Sequence, residues 1–270
     1  MSQVFKSLKS IAKLLILSKK SGVKPVVASG QRLVVMGNGP SLKDVFADRS
    51  KLAGVDTMAV NFAANTPEFF EAKPRYYTIA DPHFYDATDD DNVKALFRSL
   101  DNVDWSMTLF VPSEAAKNLK RLIANQSIAI KTYNAVGVEG WQWLKNWAYD
   151  NRRGMPRPRN VLIPSVMIGV WLGYDEIYLA GADHSWTKSL WVNDDNKVVT
   201  NLPHYYVDNE HEQSRIKAVY SDVPLHRLFY SYYVAFKAYH EIELWARRRH
   251  VNIYNATKGS YIDAFKRKTL

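Results

Sequence analysis

Two apolar periods alternate along this chain. Short unbroken apolar or β-branched runs predict strands at Arg32–Met36, Asp56–Val60, Tyr76–Ala80, Met107–Val111, Ser127–Lys131, Glu176–Ala180 and Val251–Tyr254. Between them, apolar residues return every three or four positions, predicting helices at Ser41–Asp48, 91–100, 113–124, 139–150, 165–172 and about 222–249. Such alternation predicts an α/β fold, a parallel sheet with helices on both faces. Residues 151–158 (NRRGMPRP) read as a loop. Residues 183–213 are polar, aromatic-rich and without a clean period, and an insertion that long predicts a lid. The plan is an amphipathic N-terminal helix in 1–28, a core at 29–182, a lid at 183–213, and a C-terminal helix and last strand at 214–270 that complete the core.

The first segment has its own character. At the helical period Val4, Leu8, Ile11 and Leu15 share a stripe flanked by Phe5 and Ala12, and Lys6, Lys9, Lys13 and Lys20 gather opposite. The longest apolar run, Leu14–Leu17, is far too short to span a bilayer. A lysine-rich amphipathic helix over residues 4–20 is expected to lie on an anionic membrane surface; the alternative is a helix docked on its own domain or on another subunit.

Charge sharpens this picture. The net charge is +9, yet residues 1–43 hold eight of the 36 basic residues and no acidic one, leaving 28 basic against 27 acidic beyond. The body is nearly neutral, so no nucleic-acid partner is expected. With 47% apolar and 23% charged residues the chain is globular. It has no cysteine, which excludes disulfides, thiolate zinc sites and a cysteine nucleophile and fits a reducing cytoplasm.

Directly after the first strand comes Gly37-Asn38-Gly39-Pro40-Ser41-Leu42. The glycines permit a tight turn and close backbone approach, Pro40 suits a first helical turn, and Ser41 can cap it. A helix N-terminus at the carboxyl edge of a parallel sheet is where Rossmann-like proteins hold phosphates and nucleotides. The third glycine of a dinucleotide fingerprint is absent.

This loop resembles the opening loop of the family 42 glycosyltransferases, bacterial sialyltransferases that use a CMP-activated sugar. So do Val60-Asn61-Phe62, Ala80-Asp81-Pro82, the run Leu172-Gly173-Tyr174-Asp175-Glu176-Ile177-Tyr178-Leu179-Ala180-Gly181-Ala182-Asp183, His204-Tyr205 and Ile216-Lys217-Ala218, all in the family's order over roughly residues 31–255. The resemblance implies a Rossmann-like, GT-A-like variant with a lid, an inverting and metal-independent transfer, and peripheral attachment to the inner membrane of a bacterium from the cytoplasmic side. It implies that Gly37–Ser41, Asn61 with Phe62, and Asp81 contact the nucleotide, and that Ser165 holds the donor. The family's two lid tyrosines are replaced by Ser185 and Trp191, with Lys188 between them to help the leaving phosphate. Tyr205 marks the end of the lid. The loop also resembles those of hydroxymethylpterin pyrophosphokinase-like and flagellin-modifying proteins.

An inverting transfer needs a base for the acceptor hydroxyl, and histidine suits it. Counted back from Ile216-Lys217-Ala218, His211 lies within one residue of the family's base and ranks first; His204 is second and Asp208, three residues after Tyr205, is third. Asp89–Asp91 and Asp194–Asp195 are metal ligands by type but read more simply as solvated loop charges, and a monophosphate donor lessens the need for a metal, so no metal or other cofactor is expected. Trp186 and Trp191 could stack on sugars, whereas Trp141, Trp143, Trp147 and Trp171 read as core and Arg247–Arg249 as a helix end. The expected function is transfer of a nonulosonic acid such as sialic acid from a CMP donor onto a glycan acceptor, a surface glycan of the lipopolysaccharide or capsule type. The alternatives are a Mg-dependent pterin-type pyrophosphokinase and a non-enzymatic nucleotide-binding module. A homo-oligomer is left open.

Overall fold

Strands form where the apolar runs lie, and the structure buries them on both sides. The computed structural model describes residues 2–26, 30–87, 89–200, 204–206 and 221–270. The strands are β1 (Arg32–Met36), β2 (Asp56–Val60), β3 (Tyr76–Thr78), β4 (Met107–Pro112), β5 (Ile128–Tyr133), β6 (Glu176–Ala180), β7 (Trp191–Val192), β8 (Val198–Val199), β9 (Asn252–Asn255) and β10 (Lys266–Arg267). Eight of them make one parallel sheet in the order β10-β9-β6-β1-β2-β3-β4-β5; β7 and β8 pair antiparallel as a separate hairpin. The fold is thus the expected α/β, Rossmann-like one.

Nine helices are described: α1 (Gln3–Leu17), α2 (Leu42–Ala47), α3 (Pro67–Ala72), α4 (His83–Asp86), α5 (Asp91–Asp101), α6 (Ala116–Leu122), α7 (Gln142–Asp150), α8 (Leu162–Leu172) and α9 (Leu225–Arg248). They cover both faces. Because side chains alternate along a strand, Leu33 and Val35 of β1 enter a core with α8 and α9, whereas Val34 and Met36 enter a second core with α2, α3, α5 and α6. Every residue of α8 is buried, which explains its weak amphipathicity. It begins three residues before the expected position and carries Pro164 in its first turn, where the missing N–H costs nothing. None of the described helices is long and apolar enough to cross a membrane.

Helix α1 is docked. Its buried positions are Ser7, Ser10 and Leu14, beside rather than on the expected apolar stripe. The Ser10 hydroxyl donates to the Glu139 carbonyl (2.9 Å) and accepts from the Glu139 N–H (2.9 Å), while Ser7 accepts from the Trp141 N–H (2.8 Å). Between these residues Gly140 has φ +105°, and a Cβ there would meet the Ser7 Oγ at 2.1 Å.

Candidate functional site

The strand order reverses between β1 and β6. The chain moves from β1 through β5 to one side and returns to β6 on the other, so the loops after β1 and β6 part and leave a crevice at the carboxyl edge. The two loops are stitched together by hydrogen bonds from the Gly37 N–H to the Ala180 carbonyl (2.7 Å) and from the Gly39 N–H to the Gly181 carbonyl (2.9 Å). Gly39 is required by proximity, since a Cβ there would stand 2.0 Å from Asp183 Oδ2.

That carboxylate corrects the reading of the loop. Ser41 was expected to cap α2 and leave N–H groups open. Instead its hydroxyl donates to Asp183 Oδ2 (2.7 Å), its N–H faces the same oxygen (3.4 Å), and it makes no side-chain cap. The loop is therefore braced by a carboxylate.

What the crevice offers a ligand is acceptors. Asn38 donates through Nδ2 to the Val60 carbonyl (3.2 Å), and its own carbonyl accepts from the Tyr205 N–H (2.9 Å). Asn61 stands at the end of β2 with φ +49°, a conformation asparagine tolerates, and its carbonyl accepts from the Tyr77 hydroxyl. The Oδ1 atoms of both asparagines are buried and have no protein partner. Unpaired buried carbonyls are uncommon and costly, so a pair of them marks a place built for donors such as hydroxyl or amino groups.

Two clefts meet here. The first, about 180 Å³, is lined by Gly37–Pro40, Asn61, Asp183, His184, Ser185, Trp186 and His204 among others. The second, about 480 Å³, runs between Asp81, Arg159 and Tyr133 on one side and Leu228, Ser231 and Tyr232 of α9 on the other. Asn61, Asn160, Val161, Trp186 and His204 line both. Among the described residues that line these clefts, Arg159 is the only lysine or arginine. His204 stacks on Tyr206 with ring centroids 4.9 Å apart. Its neighbour Tyr205 is buried, bonded through its hydroxyl to Thr66 Oγ1 (2.8 Å) and through its N–H to the Asn38 carbonyl, which ties 204–206 to the segments after β2 and β1.

The shared wall is stiffened by a buried polar cluster. Asn160 Oδ1 accepts from the N–H groups of Leu162 and Ile163 (3.0 and 3.3 Å), capping α8, and from the Tyr239 hydroxyl (2.9 Å). Tyr239 also meets His184 Nε2 at 2.7 Å, and the His184 ring stacks on Trp186 at 4.2 Å. Burial pushes His184 down to about 3, so it is a neutral ring that orients its neighbours. Sequence reading passed over Asn160 and His184, although an asparagine closing a polar loop before an apolar helix is a capping signal.

Of the expected site residues, Gly37, Asn38, Gly39, Pro40, Asn61, Asp81, Ser185 and His204 line the clefts. Others stand elsewhere. Phe62 packs edge-on against Phe84 (4.7 Å). Ser165 is fully buried and its hydroxyl donates to the Val161 carbonyl within α8 (2.8 Å), so it presents nothing to a donor. The Lys188 ammonium sits 5.5 Å over the Tyr261 ring, and Trp191 is exposed on the β7–β8 hairpin. His211 and Asp208 lie outside the described residues. Asp90 is the N-cap of α5, accepting from Asn92 and Val93, and Asp194–Asp195 form the hairpin turn.

No protein-family model matches the chain, and no curated protein sequence matches it. Solved structures do. The MAf glycosyltransferase from Magnetospirillum magneticum AMB-1 superposes with a TM-score of 0.54 at 11% identity over 98% of this chain; this chain spans only 38% of that protein. The sialyltransferase CstII from Campylobacter jejuni, in complex with the substrate analogue cytidine-5'-monophosphate, superposes with a TM-score of 0.51 at 13% identity, covering 90% of this chain and 87% of that one. What this chain shares with both is the fold.

Proposed function

We propose that this chain is an inverting glycosyltransferase that takes a sugar, a nonulosonic acid such as sialic acid, from a CMP donor and places it on a bacterial surface glycan. The carrying observation is the pair of buried, unpartnered carbonyl oxygens of Asn38 and Asn61 at the switch point of a parallel sheet. A ribose diol or an exocyclic amino group supplies the donors such a pair lacks. The likeness of fold to CstII, which was seen with cytidine-5'-monophosphate, supports a cytidine nucleotide over others.

The second cleft then takes the acceptor, and His204, on the wall common to both clefts, stands where they meet. In the reaction the base removes the acceptor hydroxyl proton as the oxygen bonds to the anomeric carbon. The bond from that carbon to the phosphate oxygen breaks, and the nucleotide monophosphate leaves with the electron pair. No metal is invoked in these steps.

The test incubates the full chain with CMP-, UDP- and GDP-linked sugars, and separately with a hydroxymethylpterin, ATP and Mg²⁺, and follows nucleotide release and group transfer by mass spectrometry. Turnover of a CMP-nonulosonate is expected, and His204→Ala should slow it by roughly 10²–10⁴-fold while sparing donor binding. If His211→Ala is the crippled variant and His204→Ala is not, the base is His211. Turnover confined to a pterin with ATP and Mg²⁺ would replace this reading with the pyrophosphokinase.

A further inference from the structure

Docking of α1 packs Ile11 against the core and leaves the rest of its apolar stripe uncovered. Val4, Phe5 and Leu8 are more than half exposed, and Leu15 and Ile16 are 80% and 78% exposed. Ser7, Ser10 and Leu14 hold the helix from one side, so this stripe is fixed outward. Beside it stand two tryptophans, Trp143 and Trp147, whose helical setting predicts core positions. Helix α7 buries Leu144, Ala148 and Tyr149, which turns Trp143 (60% exposed) and Trp147 (50%) to solvent one turn apart. Trp143 stacks on Trp141 at 5.8 Å, and Trp141 is the residue whose N–H is bonded by Ser7, so the exposed indole adjoins the first half of α1.

The charges of α1 are of one sign. Lys6, Lys9 and Lys13 stand across the helix from the stripe, next to Phe5 and Ile16, and residues 1–43 contain no acidic side chain; nearby Glu139 is paired with Arg157 (3.9 Å). Burial, then the charges of Lys9 and Arg157, push Lys13 down against the opposing pull of Glu139.

We infer that α1 and the Trp143–Trp147 edge of α7 form one interfacial surface whose occupant is an anionic lipid bilayer. Aliphatic side chains enter the acyl boundary, indoles favour the headgroup level, and lysines meet acidic headgroups. A second copy fits the face less well, since a two-fold pairing sets the same lysines against one another with no acidic residue of α1 to offset them. Attachment is thus by a helix held rigidly against the domain rather than by a free tail.

The test is co-sedimentation of the full chain with vesicles of phosphatidylcholine alone and with phosphatidylglycerol added, with sedimentation velocity run in parallel. The parent should bind the anionic vesicles, with tryptophan emission shifted to the blue, and high salt should release it. Leu8→Glu/Leu15→Glu, changes at exposed positions that leave melting unaltered, should weaken binding by about tenfold or more. Trp143→Ser/Trp147→Ser should weaken it independently, which a surface confined to α1 would not show. A parent that stays in the supernatant, or a Leu8/Leu15 variant that sediments like it, overturns the inference. So does a dimer of the parent that the same pair dissociates, which would assign the face to a second copy.

Discussion

At the scale of single residues, the loop after β1 is held by contacts that leave no room. Gly39→Ala sets a Cβ 2.0 Å from Asp183 Oδ2 and 2.7 Å from the Gly181 carbonyl, so the Ser41–Asp183 brace must open. The variant should lose roughly 1–3 kcal/mol of stability by the usual cost of overpacking, read as a lower Tm, together with nucleotide affinity. An unchanged Tm would show that the loop is not braced as described. His184 gives a pH signature. Its folded value of about 3 lies below that of an unfolded histidine, so its contribution to stability is complete above about pH 6.5. As pH falls from there towards 3 the unfolded chain takes up a proton that the folded chain refuses, and stability drops by about 1.4 kcal/mol per unit from this residue. His184→Asn, which tolerates the φ of +50°, should be less stable at neutral pH and show a shallower acid limb of Tm against pH; an equal slope would contradict the buried neutral ring. Asn38 is legible from its place between two glycines after a strand, and Asn61 through the resemblance of Val60-Asn61-Phe62 to the family's turn. His184 is not, since its partners Asn160 and Tyr239 are far along the chain.

At the scale of elements, the strands were legible nearly residue by residue. β1, β2 and β6 occupy the ranges their apolar runs predict, because a strand buried on both faces needs such a run and each ends at a glycine or polar turn. Docking of α1 is the alternative the sequence leaves beside a membrane-lying helix, but the docked side is not legible: its contact is made by Ser7 and Ser10 through hydrogen bonds, which an apolar periodicity cannot flag. The β7–β8 hairpin was missed for a related reason, its strands being two residues each. The serine contact makes a prediction. Ser10→Ala strands both backbone groups of Glu139 and should cost about 1–3 kcal/mol, with faster amide exchange across Gln3–Leu17. Unaltered exchange would mean that Leu14 and Ile11 alone hold the helix.

At the scale of the whole molecule, topology decides where chemistry can occur. A doubly wound sheet has one place where neighbouring strands send their following loops apart, and both clefts open there with His204 and Asn61 on the wall between them. The sequence located this edge through its glycine loop but not the second cleft, whose far wall comes from α9 and needs the folded chain to appear. The most direct measurement is a calorimetric titration of the full chain with CMP, UDP, GDP and ATP, each with and without Mg²⁺, beside the Asn38→Ala/Asn61→Ala pair. The account predicts that CMP binds most tightly whether or not Mg²⁺ is present. It also predicts that the double variant, folded at a cost of about 2–3 kcal/mol for the lost Asn38–Val60 bond and an alanine at φ +49°, binds CMP at least about tenfold more weakly. CMP affinity equal in parent and variant, or tight binding only of ATP with Mg²⁺, would contradict it.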